Sequence, residues 1–113
     1  MRTVHLCGDA DRHFPVLTKE CGVRSLDTGF PVNFARLRKA VGPDVEIWGG
    51  PEVGMLMYGT PRQVYERTRE ILTSGVLEGG RFVLREANCL PPATPEETLA
   101  AMYRAALDFG RYR

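Results

Sequence analysis

Arg81-Phe82-Val83-Leu84-Arg85-Glu86, followed through a proline-rich loop by Pro92-Ala93-Thr94-Pro95-Glu96-Glu97, spells a short β-strand, a turn and a helix start. Leu99, Met102, Tyr103, Ala106 and Phe109 then recur at helical spacing, so the unit closes on an amphipathic helix. The same strand–turn–helix pattern occurs three more times upstream. Val45-Glu46-Ile47-Trp48 is a strand with a tight exit at Gly49-Gly50-Pro51 and a helical turn through Met55-Leu56-Met57. Thr60-Pro61-Arg62-Gln63 then predicts a capping box with proline at the first helical position, and Val64, Thr68, Ile71 and Leu72 mark the buried face. Val23-Arg24-Ser25-Leu26-Asp27 is another strand, turned by Thr28-Gly29. Pro31 opens the helix that carries Val32, Phe34, Leu37 and Val41, and Gly42-Pro43 closes it. Thr3-Val4-His5-Leu6-Cys7 is the first strand. Asp9 or Asp11 caps a helix that runs to about Glu20, before Cys21-Gly22. Thr94-Pro95-Glu96-Glu97 predicts a second capping box.

Helices alternating with strands, without a hairpin signal, predict an α/β fold with a parallel sheet and right-handed crossovers. Four βα units are half of a (β/α)8 barrel, and a complete barrel takes about 250 residues, against 113 here. The chain therefore reads as one (βα)4 half-barrel domain over residues 1–113. Its two outer strands would each leave a row of backbone donors and acceptors unpaired, and the barrel-facing side chains would be wet. The simplest remedy is a homodimer in which strand one of each chain pairs with strand four of the other. The alternatives are a separate N-terminal half-barrel chain, which makes a split enzyme, and a truncated product that has lost function.

A formal net charge of +1, with the basic residues spread along the chain, argues against nucleic acid as a partner. No stretch approaches the length of an apolar membrane span, and no long apolar run marks a signal peptide. Three cysteines do not make a disulfide framework, so a cytoplasmic location with reduced thiols is expected.

In a parallel βα array the loops after the strands gather on one rim, where ligands bind. That rim takes His5 to Asp9, Asp27-Thr28, Gly49-Gly50-Pro51-Glu52 and Glu86-Ala87-Asn88-Cys89. Gly79-Gly80 precedes a strand and belongs to the opposite rim. His5 and Cys7 are two apart on a strand and point the same way, and Cys89 follows the last strand at the same rim. Imidazole and thiolate suit Zn²⁺, and three protein ligands with an open position are the catalytic arrangement. The residues alone favour a second reading: His5 filling a barrel interior with its hydrogen bond satisfied, and Cys7 and Cys89 as small buried apolar groups. Asp27 and Glu52 are the candidate general acids or bases of the rim, or else bind nearby turns and helix starts. Arg85 and Glu86 read as a pair with each other or with a neighbouring strand. Trp48 and Met55-Leu56-Met57 line a pocket for a flat ligand, or the core or a subunit contact. Nucleophile-elbow, Walker and dinucleotide motifs are not present.

His5-Leu6-Cys7-Gly8-Asp9, Gly49-Gly50-Pro51-Glu52, Gly59-Thr60-Pro61, Gly79-Gly80-Arg81-Phe82 and Asn88-Cys89-Leu90-Pro91-Pro92-Ala93-Thr94-Pro95 together resemble the C-terminal half of the uroporphyrinogen decarboxylase-like superfamily. That superfamily includes the cobamide-dependent methyltransferases. The stretch from Ala101-Met102-Tyr103 through Phe109-Gly110-Arg111-Tyr112 also resembles its C-terminus. The resemblance implies strands five to eight of a full barrel. In the decarboxylases of porphyrin biosynthesis, the arginines that hold substrate carboxylates and the key aspartate lie in the other half. Of the site residues, a histidine after the last strand is expected in this half, and Asn88 stands at its place. The resemblance thus implies that the chain alone is no decarboxylase. The methyltransferase branch implies Zn²⁺ held by His-x-Cys on the fifth strand and a later cysteine. His5 and Cys7 match the first two, and Cys89 falls one residue late, with Asn88 again at the expected place.

Overall fold

The computed structural model describes residues 1–87 and 89–111. Short runs, which in the first three alternate an apolar core residue with polar or aromatic ones, form four strands: β1 (Thr3–Leu6), β2 (Ser25–Thr28), β3 (Glu46–Gly49) and β4 (Phe82–Leu84). All neighbours are parallel, in the order β1-β2-β3-β4. The helices are α1 (Phe14–Glu20), α2 (Phe34–Val41), α3 (Val53–Tyr58), α4 (Pro61–Leu72) and α5 (Glu96–Phe109). This is the (βα)4 half-barrel expected.

Strand alternation separates two faces, and the register shows both. The row Val4, Leu26, Ile47 and Phe82 packs against the helices, and Leu26 and Ile47 are fully buried. Each such side chain contributes about 1.5–3 kcal/mol of apolar burial. Phe14, Phe34, Leu37 and Ile71 complete this core, with Phe34 edge-on to Phe82 at 5.9 Å between ring centroids. A second cluster joins Leu56 of α3, Val64 of α4, and Ala101 and Met102 of α5. The next row, His5, Asp27, Trp48 and Val83, lies on the other face. No helix covers that face among the described residues, and it would be the inside of a closed barrel.

Arg38 of α2 is 2% exposed, deep among apolar residues. Its guanidinium donates to four carbonyls: Nε to Val76, Nη1 to Gly42 and Val45, and Nη2 to Arg81, at 2.6–2.9 Å. Val45 and Arg81 immediately precede β3 and β4, so one side chain ties the entries of two strands together. Burying a guanidinium is tolerable because these four hydrogen bonds set oriented carbonyl dipoles against its charge.

Several local expectations are corrected. The Thr60 capping box forms, with Gln63 N donating to Thr60 Oγ1 and Thr60 N to Gln63 Oε1. The second does not: α5 starts at Glu96 with Pro95 as its cap, and Thr94 Oγ1 donates back to Pro91. Helix α2 starts at Phe34 rather than Pro31, because Asn33 accepts from Arg36 N and sets the first turn. Asp11 does not cap α1; a 3-10 turn comes first, and its carboxylate accepts from Asn33 N. The buried face of α5 is Thr98, Ala101, Met102 and Ala105, because that side lies against α3 and α4. Tyr103, expected on the buried face, is exposed.

Candidate functional site at the strand-exit rim

Side chains on the uncovered sheet face converge where β1, β2 and β4 end. Asp27 is central. Its Oδ2 lies 3.2 Å from His5 Nδ1 and 3.2 Å from Arg85 Nη1, while Arg85 Nη2 lies 3.1 Å from Glu86 Oε1. Arg85 reaches from the end of β4 past β3 to do this. Gly50 immediately follows β3, and a Cβ there would collide with the Arg85 carbonyl. A glycine is therefore required for this close approach of the β3 and β4 exits. Backbone bonds from Arg85 N to Gly49 O and Ala87 N to Pro51 O lace the two exits together. The result is a chain of polar contacts, His5–Asp27–Arg85–Glu86, in which two carboxylates flank the Arg85 guanidinium.

Of the sequence-based candidates, His5 and Asp27 are brought together, and Arg85 and Glu86 join them. Arg85 pairs with Glu86 as expected, and it reaches past its neighbouring strand β3 to Asp27 of β2. Glu52 is held elsewhere: its carboxylate takes Arg67 of α4, with Nη2 to Oε1 at 2.9 Å. Burial works against the Arg67 charge, and the hydrogen bonds and attraction of Glu52, with help from Glu70, outweigh it and raise its pKa. That ion pair links the loop after β3 to α4. Cys7 and Cys89 are exposed at the rim, and Cys21 is exposed at the end of α1. Asn88 lies outside the described residues. Trp48 donates from Nε1 to Glu46 on its own strand, so both belong to the uncovered face.

In the single chain, His5, Cys7 and Cys89 do not form a metal-holding group. Among the described residues no three His, Cys, Asp or Glu side chains are gathered closely enough to hold a metal ion. The nitrogen and sulfur donors are of the right kind for Zn²⁺, but β1 and β4 are the two opposite edges of the sheet. The clamp formed by Arg38 carries no sequence signal, since an arginine in an amphipathic helix reads as solvated.

Fold and rim together define a parallel βα half-barrel with its polar chemistry at the strand exits. The chain belongs to the uroporphyrinogen decarboxylase (URO-D) family, whose sequence profile matches residues 1–109. It is 37% identical over 105 residues to a methylated-thiol–coenzyme M methyltransferase of Methanosarcina mazei. That match takes in 90% of this chain and 26% of the relative, so the chain spans about a quarter of that protein's length. A solved methyltransferase from Methanosarcina mazei superposes with a TM-score of 0.79 over 96% of this chain and 31% of its own, at 20% identity. The likeness to that structure establishes the shared fold. No helix among the described residues is long and apolar enough to cross a membrane.

Proposed function

We propose that this chain is a half-barrel assembly module of the URO-D family, which pairs its two sheet edges with a second copy to rebuild an eight-stranded barrel. It is not a decarboxylase on its own. The carrying observation is that both layers are unfinished at both ends. At one end, β1 has no outer neighbour among the described residues, and Val16 on the adjacent α1 is 51% exposed. At the other, β4 likewise has none, and α5 exposes Tyr103 (56%) and Leu107 (75%). An open strand edge beside an apolar helix face is what a further βα unit covers. Two such chains related by a two-fold axis supply each other's missing unit at both joints. Hydrogen exchange tests this: amides of β1 and β4 are expected to be protected at high protein concentration and to lose protection on dilution. Equal exchange at all concentrations would refute edge pairing.

A second reading is a component of zinc-dependent methyl transfer, or of a decarboxylase of porphyrin biosynthesis, that works with an N-terminal half-barrel partner. The methyltransferase relative favours the first of these, as does an exposed Cys7 one residue past β1, the strand that carries His5. The expected mark is stoichiometric zinc that survives dialysis and is lost in Cys7→Ala. Metal-free protein that also fails to bind tetrapyrrole carboxylates would exclude both activities. A cytoplasmic location fits either reading and would be checked by cell fractionation.

A further inference from the structure

The last two helices leave a groove between them, away from the strand exits. Pro61, Arg62 and Tyr65 of α4 line one side, and Ala101 and Arg104 of α5 the other, around about 330 Å³ of space. The groove exists because α5 presents only a methyl group at Ala101, opposite a proline ring and a phenol ring. Tyr65 gives its hydroxyl to Asp108, which leaves the ring as its contribution to the lining. The floor is therefore apolar. The charge beside it is unbalanced. Arg62 and Arg104 are both exposed, and neither forms an ion pair among the described residues. The other arginines of α4 do: Arg67 pairs with Glu52 and Glu70, and Arg69 with Glu66.

We propose that the α4–α5 groove docks a segment of a partner protein in which carboxylates flank an apolar side chain. A guanidinium fork matches a carboxylate edge with two parallel hydrogen bonds, and two such forks beside an apolar floor fit that pattern. The start of α4 disfavours a phosphate group, which a helix end holds through free backbone N–H groups. Pro61 has none at the first helical position, and the N–H groups of Thr60 and Gln63 are both satisfied within the capping box. With two cations over an apolar floor, and the carboxylate of Asp108 bonded to Tyr65, the groove also does not suit a polyanion. Tyr58, the last residue of α3 and 84% exposed, adds an aromatic group just ahead of the turn into α4. Tyrosine and arginine are the residue types that dominate binding energy at protein interfaces. The groove uses neither sheet edge, so it is independent of barrel completion.

The test offers a random peptide library displayed on phage to the full chain and, in parallel, to the double variant Arg62→Glu with Arg104→Glu. Both arginines are exposed, so the far-ultraviolet circular dichroism of the variant is expected to be unchanged. Peptides held by the native chain and not by the variant are expected to carry acidic residues around a large apolar one. A synthetic peptide of that kind should bind either single reversal about tenfold more weakly than the native chain. Exchanging its acids for lysines should transfer its binding to the double variant. No groove-dependent enrichment, or enriched peptides without acids, overturns the proposal. Displacement of the peptide by inorganic phosphate overturns it in favour of a phosphate-bearing ligand. A peptide that lowers the solution mass of the protein overturns it in favour of a contact between copies of this chain.

Discussion

Arg85 crosses the width of a strand to reach Asp27, with its Nη1 3.2 Å from Asp27 Oδ2, while its own carbonyl lies against the bare backbone of Gly50. The ion pair belongs to the rim, and the glycine makes the approach of the β3 and β4 exits possible.

Gly50→Ala should therefore cost stability well beyond a surface change. The added Cβ would lie 1.9 Å from a backbone carbonyl that no rotamer can move, so the β3 and β4 exits must separate. The expected loss is about 3 kcal/mol in urea unfolding. A loss within error of zero would mean that the two exits are not joined as described.

Arg38→Met should cost a comparable amount, about 3 kcal/mol, because it strips donors from four carbonyls at the strand entries. Arg38→Lys should recover only part of this, since an ammonium has three donors at one point in place of a planar fork. Unfolding curves of the two variants separate the contributions of charge and shape.

Much of the architecture was legible in the sequence, because it is carried by periodicity and turn residues. The four strands, the Thr60 capping box and the buried stripe Val64, Thr68, Ile71 and Leu72 are local signals, and all are present. The errors fall where a nonlocal contact won. Thr94 resembles a cap, but Pro95 occupies that position and Thr98 turns its hydroxyl to the Leu56 carbonyl. Asp11 sits just ahead of α1 but serves Asn33, across the groove. The rim was placed correctly from strand polarity alone. The spans from Arg85 to Asp27 and from Glu52 to Arg67 depend on side-chain reach, which spacing does not encode.

Tyr65 should titrate late. Its hydroxyl donates to Asp108 Oδ2 at 2.6 Å, and that bond, followed by burial and the carboxylate charge, holds its pKa above the usual phenol value of 10.0. A group raised in the folded state contributes stability that is fully present below its unfolded value. The contribution is lost as pH rises through the folded one. The link between α4 and α5 is thus expected to be intact at neutral pH and to weaken only in strong alkali. Comparing the alkaline titration at 295 nm of the protein with that of Tyr65→Phe should show that the absorbance lost in the variant belongs to the part ionising above the usual phenol value. A loss confined to the part below that value would count against the bond.

Tyr103→Glu with Leu107→Glu should separate the copies without unfolding them. Both side chains are exposed in the single chain, so the charges cost little there. At a joint they would place two carboxylates against the apolar side of α1 around Val16. The expected result is an unchanged far-ultraviolet circular dichroism spectrum and a weakened association by about tenfold or more, which corresponds to about 1.4 kcal/mol. Unchanged association would show that α5 does not take part.

The most direct test of barrel completion is the solution mass, measured by light scattering across a size-exclusion peak over a concentration series. Edge pairing predicts a stable species at twice the 12.6 kDa chain mass, falling towards the monomer only on strong dilution. A well-folded particle of 12.6 kDa at every concentration would contradict it, and would mean that both edges of this half-barrel are stable without a second copy.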